Sequence, residues 1–208
     1  MFISFEGCEG TGKTVLSKKL EKKLIEKNYL TILTKEPGGC LQTQPIKKIL
    51  LNSSFKKLHC YTESLLYAAD RIEHLNRIII PSLQQKKIVI CDRFLDSSVA
   101  YQGYGRNLGE ELIYKINFYA LKYLPDITFY IDIDPFIGVQ RIKNFRKEKL
   151  DNFDLEKMDF HERVREGYLN IFKKNKSRII LIDGNQSLEN IFTIIYQKVI
   201  KFLNIKVK

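Results

Sequence analysis

Eight consecutive residues, Gly7-Cys8-Glu9-Gly10-Thr11-Gly12-Lys13-Thr14, have the spacing of a phosphate-binding loop: glycine, four variable positions, then Gly-Lys-Thr. The chemistry is local. Glycines let backbone N–H groups turn inward around a phosphate without Cβ clashes. A helix that starts at the end of the loop adds free N–H donors and a partial positive charge. In that arrangement Lys13 reaches the β- and γ-phosphates of a nucleoside triphosphate, and the Thr14 hydroxyl binds Mg²⁺. A plain glycine turn before an ordinary helix is the competing reading. The flanks favour the loop, because the apolar run Phe2-Ile3-Ser4-Phe5 precedes it and Leu16, Leu20 and Leu24 follow at helical spacing.

Four other stretches carry chemistry. Asp92-Arg93-Phe94 follows the apolar run at 87–91. An acid at the end of a strand near a phosphate loop can hold the hydration shell of Mg²⁺, and Arg93 beside it faces a second anion. Lys35-Glu36-Pro37-Gly38-Gly39 ends another β-rich run, at the strand end where α/β sheets bind ligands. Tyr67, Arg71 and His74 are three or four residues apart and share a helix face, so a ring and a guanidinium could stack on a base and read its edge. A core tyrosine with a surface Arg71–Asp70 pair and a structural His74 fits the same spacing. Ser97-Ser98-Val99-Ala100-Tyr101-Gln102-Gly103 is polar and aromatic enough to contact a nucleoside.

These residues need a scaffold that alternates strand and helix. Strands are expected at 2–5, 29–34, 87–91, 126–133 and 178–183, and helices after the loop and at 43–51, 63–77, 111–124, 136–141, 160–172 and 188–202. That order implies a parallel sheet covered on both faces, in one α/β domain spanning 1–208. Residues 141–159 break the pattern: basic Arg141, Lys143, Arg146, Lys147 and Lys149 precede acidic Asp151, Asp154, Glu156 and Asp159, with few apolar anchors. Such a stretch is either a solvated surface helix or a mobile lid over phosphates.

Composition excludes several classes. At 44% hydrophobic residues the chain can bury a core and is not a disordered tail. No apolar run reaches membrane-spanning length, and Glu6 interrupts the N-terminal one, against a signal peptide. Cys8, Cys40, Cys60 and Cys91 lack C-x-x-C spacing, which points to reduced thiols in a cytoplasm rather than zinc or disulfides. The net charge of +11 comes mostly from lysines dispersed over helix patterns, without an arginine-rich recognition helix, so no nucleic-acid partner is expected.

Together, the motifs Glu6–Thr14, Lys35-Glu36-Pro37-Gly38-Gly39, Leu65-Leu66-Tyr67-Ala68-Ala69-Asp70-Arg71, Asp92-Arg93-Phe94, the 97–103 segment and Phe160-His161-Glu162-Arg163-Val164-Arg165-Glu166-Gly167-Tyr168 resemble the bacterial thymidylate kinases over nearly the whole chain. The resemblance implies a P-loop nucleoside-monophosphate kinase fold: a five-stranded parallel sheet in the order 2-3-1-4-5 with a mobile lid at 141–159. It implies the conversion of ATP and dTMP to ADP and dTDP with Mg²⁺, and a homodimer. It implies that Gly7 to Thr14 bind ATP, that Thr14 and Asp92 serve the metal, and that Glu36, Pro37, Tyr67, Arg71, Arg93, Ser98, Tyr101 and Gln102 bind dTMP. In that frame Tyr67 stacks on thymine, Arg71 reads its edge, and Ser98 and Gln102 lie at the base. Tyr101 excludes a ribose 2′-OH, Arg93 with Lys35 holds the acceptor phosphate, and Glu9 lies near the sugar 3′-OH. Lys13, Glu9 and Arg93 are the catalytic candidates, joined by Arg146 or secondarily Arg141, because the phosphate loop holds no arginine and the lid must supply one. Three departures stand out: Lys35 where Arg is usual, Cys40 where Thr is usual, and Asn152 where an Arg commonly follows the lid aspartate. A deoxynucleoside kinase with a carboxylate base, or a nucleic-acid-stimulated P-loop ATPase, are the alternatives.

Overall fold

The structure is a computed structural model and describes residues 1–51, 58–145 and 152–206. Strands Phe2–Glu6 (β1), Thr31–Lys35 (β2), Ile88–Asp92 (β3), Ile127–Asp132 (β4) and Ile179–Asp183 (β5) form one sheet in the order β2-β3-β1-β4-β5. Every pairing is parallel. Both Phe5 of β1 and Lys35 of β2 pair with Asp92 of β3, so the three strands end level and deliver their following loops to one edge. This is the sheet order expected above.

Side-chain alternation along β1 sorts the two faces. Ile3 and Phe5 join a core with Leu16, Leu20 and Leu24 of helix α1 (Lys13–Ile25) and with Ile191, Ile195 and Val199 of the helix Leu188–Lys206. On the other face β1 presents Phe2, Ser4 and Glu6. Phe2 packs edge-on against Phe94, with ring centroids 5.0 Å apart, while Ser4 bonds Thr128 at 2.7 Å and Glu6 turns toward the site. Helix α2 (Gln44–Leu51) and helix α3 (Cys60–His74) cover this second face. Helix α3 runs through a π-helical turn, Leu75–Ile79, into helix α4 (Ile80–Gln84).

Four expected elements differ. The 97–103 segment, read without a helix, is helical: α5 (Leu95–Ser98) continues into a π-helical stretch, Val99–Gly105. The helix expected at 111–124 stops early. Helix α6 (Glu110–Ile116) ends where the Asn117 side chain donates to the Ile113 carbonyl, and a 3-10 turn follows at Ala120–Tyr123. Helix α7 (Pro135–Phe145) extends past 141, and helix α8 (Met158–Lys174) starts two residues before the expected boundary. The Leu188–Lys206 helix is α9. No described helix is long and apolar enough to cross a membrane.

The loop between β1 and α1 lies against the first turns of α7. Gly10 has φ +72°, and a Cβ there would run into the Gly138 carbonyl. A Cβ on Gly138 would in turn meet the Glu9 carbonyl, so only glycines allow this approach.

Candidate active site

The C-terminal edge of the sheet opens into a cavity of about 250 Å³ lined from two sides. One side is the loop from Glu9 to Thr14, with Asp92; the other carries Lys35, Glu36, Pro37, Tyr67, Arg71, Arg93, Ser98, Tyr101 and Gln102. Placing these groups together is the work of three level strand ends and one helix face. Ser97, Ser98, Tyr101 and Gln102 share that face because α5 runs straight into the π-helical stretch.

On the loop side, Lys13 Nζ donates to the Cys8 carbonyl at 2.6 Å and to Thr11 Oγ1 at 3.0 Å. Burial, and then the charge of Arg93, bring the Lys13 ammonium down to about 8. Thr14 Oγ1 donates to Asp92 Oδ2 at 2.5 Å. Gly7 and Cys8 do not line the cavity; they meet it through carbonyls that hold Arg93 and Lys13. The Cys8 thiol is pushed up to about 12, first by burial, so it stays a neutral packing group.

Arg93 joins the two sides. It has a left-handed φ of 72°, which turns the chain sharply after β3. Its Nη1 donates to the Gly7 carbonyl, Ser97 Oγ and Tyr168 Oη at 3.0 to 3.2 Å. Its Nη2 donates to Glu9 Oε1 at 2.9 Å and to Tyr101 Oη at 3.1 Å. The Tyr101 hydroxyl donates to the same Glu9 oxygen. Burial pushes the Glu9 carboxyl up, but Arg93, Lys13 and Tyr101 outweigh it and hold the group below the ordinary carboxylate range. Glu9 Oε2 has no hydrogen-bond partner among the described residues. Beneath this cluster Glu6 accepts from the Phe94 N–H, Ser97 Oγ and Tyr168 Oη.

Arg71 is 1% exposed, so the surface Arg71–Asp70 pair offered as one reading does not form. Arg71 Nε donates to Glu36 Oε2 at 2.8 Å, Nη1 to Asn117 Oδ1 at 2.6 Å, and Nη2 to Ser98 Oγ at 3.0 Å. Glu36 Oε1 lies 3.0 Å from His74 Nδ1, whose Nε2 lies 2.7 Å from Thr34 Oγ1. Asp70 instead accepts the Gly38 N–H at 2.8 Å and secures the loop after the cis Glu36–Pro37 bond. His74 ties Glu36 to Thr34 of β2.

The sequence reading missed several groups. Asn117 caps α6 and orients Arg71, a double role that spacing does not signal. Phe153, within the stretch 141–159 read as poor in apolar anchors, lines the cavity and stands edge-on to Tyr101, with centroids 5.2 Å apart. Lys47 lies beside Lys35; partial burial and the Lys35 charge bring its ammonium below the ordinary lysine value. Lys35 lines the cavity and Lys47 does not, and the neighbouring positive charges favour an anion.

Arg141 donates to the Gly10 and Gly184 carbonyls at 3.4 and 3.3 Å, between the phosphate loop and the turn after β5. Arg146 lies outside the described residues. Of the three departures, Asn152 donates to the Leu50 carbonyl at 3.0 Å and ties the chain to α2. Cys40 Sγ lies 3.6 Å from Thr43 Oγ1 in a 3-10 turn, and Lys35 lines the cavity.

Comparison with known proteins agrees with this geometry. A family model for thymidylate kinase matches residues 5–195. The chain is 57% identical to a thymidylate kinase of Onion yellows phytoplasma (strain OY-M), over 95% of this chain and 96% of that one. It is 50% identical to a thymidylate kinase of Acholeplasma laidlawii (strain PG-8A), over 98% and 100%. The crystal structure of thymidylate kinase from Ehrlichia chaffeensis superposes with a TM-score of 0.76 at 38% identity, covering 98% of each chain.

Proposed function

The chain belongs to the thymidylate kinase family, and we infer that it phosphorylates dTMP to dTDP with ATP. The observation that carries this reading is the single cavity in which a phosphate loop faces Arg93, Arg71, Tyr67 and Gln102. One side suits the triphosphate; the other suits a pyrimidine nucleotide whose phosphate meets Arg93.

The reaction brings two anions together. Each pair of unit charges ~4 Å apart costs about 4 kcal/mol in an effective dielectric of ~20. Lys13, Arg93 and Lys35 offset that repulsion. Lys13 leaves its two loop acceptors for the β- and γ-phosphates, and backbone N–H groups of residues 10–14 cradle the rest. Thr14 Oγ1 and Asp92 Oδ2 are oxygen donors in direct contact, which fits a hard divalent cation held by few protein ligands and phosphate oxygens. When bound there, Mg²⁺ neutralises charge on the transferring phosphoryl group.

The acceptor needs no general base, because a dTMP phosphate oxygen is already ionised at neutral pH. That oxygen forms the new P–O bond, and the bond between the γ-phosphorus and the β–γ bridging oxygen breaks. Catalysis is alignment plus stabilisation of charge in a loose transition state. Arg93, whose Nη1 and Nη2 hydrogens are shared among five protein acceptors, exchanges part of that set to hold the acceptor phosphate. Glu9, held by Arg93 and Tyr101 through one oxygen, lies near the sugar 3′-OH, while its other oxygen is buried 3.8 Å from His161 Nδ1. Tyr67 stacks on thymine, and Arg71 and Ser98, already bonded to each other, read its edge together with Gln102.

Residues 141–159 act as the lid of one kinase unit spanning 1–208, with Arg146 as its transferring arginine and Arg141 as the second candidate. Four free cysteines and bacterial relatives support a cytoplasmic setting. A homodimer would use the exposed Leu65 of α3 with Phe118 and Leu121 beyond α6, which packs on α3. A coupled assay offering dTMP, dUMP and thymidine separately tests the activity. Turnover of dTMP is expected; turnover of thymidine alone would favour a deoxynucleoside kinase and overturn the reading.

A further inference from the structure

Arg106 caps the π-helical stretch and does not line the cavity, yet its side chain is 8% exposed and fully engaged. It donates to both carboxylate oxygens of Glu63 at 3.0 to 3.3 Å and to Glu156 Oε1 at 2.6 Å. Its guanidinium also lies over the rings of Phe160 and Phe153, 4.6 and 5.4 Å from their centroids. Glu63 stands one helical turn before Tyr67 on α3, and its Oε1 accepts Gln102 Nε2 at 2.8 Å. Gln102 lines the cavity, and its Oε1 accepts no hydrogen bond among the described residues.

The orientation of an amide is not visible in heavy-atom positions alone. Here the chemistry decides it. Arg106 has only N–H donors, so both Glu63 oxygens accept. A Gln102 carbonyl turned toward Glu63 would set acceptor against acceptor. The nitrogen therefore faces Glu63, and the carbonyl is left for the cavity. We propose that Glu63 and Arg106 are positioning residues that fix the polarity of Gln102, so that the cavity offers an acceptor to the N3–H of thymine and disfavours cytosine, whose N3 is itself an acceptor. The guanidinium also seats Phe153 against Tyr101, which joins this polarity to the 141–159 segment. The inference rests on reading the cavity as the dTMP site.

Glu63→Gln tests it, because an amide at 63 can donate or accept and frees Gln102 to flip. kcat/KM for dTMP and for dCMP is measured with KM for ATP and the thermal midpoint. The dTMP-to-dCMP ratio should fall roughly tenfold, the factor one uncompensated hydrogen bond is worth. The change should lie mainly in KM for the pyrimidine nucleotide, with KM for ATP unchanged. Arg106→Lys, which keeps the charge but loses the fork, should fall between wild type and Glu63→Gln. A lower thermal midpoint with an unchanged ratio would overturn the proposal and leave the network purely structural. N3-methyl-dTMP gives a reading that needs no variant: wild-type protein should use it at least ~10-fold less well than dTMP, and undiminished use would overturn the proposal. If the wild-type protein does not phosphorylate dTMP at all, the proposed function fails instead.

Discussion

Tyr101→Phe separates two accounts of how the sugar is chosen. The Tyr101 hydroxyl is held between two charged groups, donating to Glu9 Oε1 and accepting from Arg93 Nη2 at 3.1 Å. Burial pushes the hydroxyl well above its ordinary range, so it stays a donor throughout any practical assay pH. The ring is fixed independently, edge-on to Phe153, Phe160 and Tyr168 at 5.2 to 6.2 Å. Removing the oxygen therefore leaves the ring in place and opens a space the size of one hydroxyl. Hydrogen bonds to charged groups contribute about 1.5–3 kcal/mol each. Glu9 and Arg93 keep each other at 2.9 Å, so the net loss should lie near the low end of one such bond. For a chain of this size that is a drop of roughly 3–6 °C in Tm. The 2′-OH of a ribonucleotide should fit the vacated space, and the ratio of kcat/KM for dTMP over its ribonucleotide counterpart should fall about tenfold, the worth of roughly 1.4 kcal/mol. Glu9 also loses one of the interactions that lower its pKa, so the acid limb of the pH profile should move upward. A Tm drop with an unchanged ratio would refute the reasoning and assign the exclusion to ring bulk.

Three further outcomes are expected. Arg146→Ala should lower kcat far more than it raises KM for dTMP, and unchanged turnover would remove Arg146 from the transferring role. Asp92→Asn should raise the Mg²⁺ concentration needed for half-maximal activity several-fold with little change in KM for dTMP, because it weakens the oxygen pair with Thr14; an unshifted Mg²⁺ titration would exclude Asp92. Burial, and then the charge of Asp96, raise Glu6 from the ordinary 4.5 to about 7. A raised folded-state pKa contributes stability that is full below about 4.5 and is lost as pH rises through about 7. The Tm of the nucleotide-free protein should carry that decline, and Glu6→Gln should flatten it; an equally steep profile in the variant would contradict the assignment.

The scaffold was readable where chemistry is local. Apolar runs at 2–5 and 87–91 locate β1 and β3 because buried parallel strands have nothing polar to alternate with. The loop at 7–14 was legible because its spacing is a backbone requirement. Sheet order is a long-range property, and it came from family resemblance rather than from periodicity. What stayed hidden was partnership. Glu36 and Arg71 are 35 residues apart, and only the folded chain reveals that they bond each other. Periodicity carried the 111–124 helix too far because the residue that ends it, Asn117, also answers to Arg71. Phe153 was overlooked because one ring among charges gives no pattern, although a single aromatic can anchor a segment. Arg106 and Glu63 drew no notice, since nothing local shows that two phenylalanines enclose the guanidinium.

The meeting of Gly10 and Gly138 has a mechanical consequence. The phosphate loop and the base of α7 touch backbone to backbone, with no side chain between them to act as a cushion. Helix α7 ends at Phe145, so the loop bears on the element that precedes residues 146–151. On the proposed reading of residues 141–159 as a lid, a triphosphate on the loop would bear on it through this backbone contact. Alanine at either glycine would act as a wedge and force the phosphate loop and α7 apart.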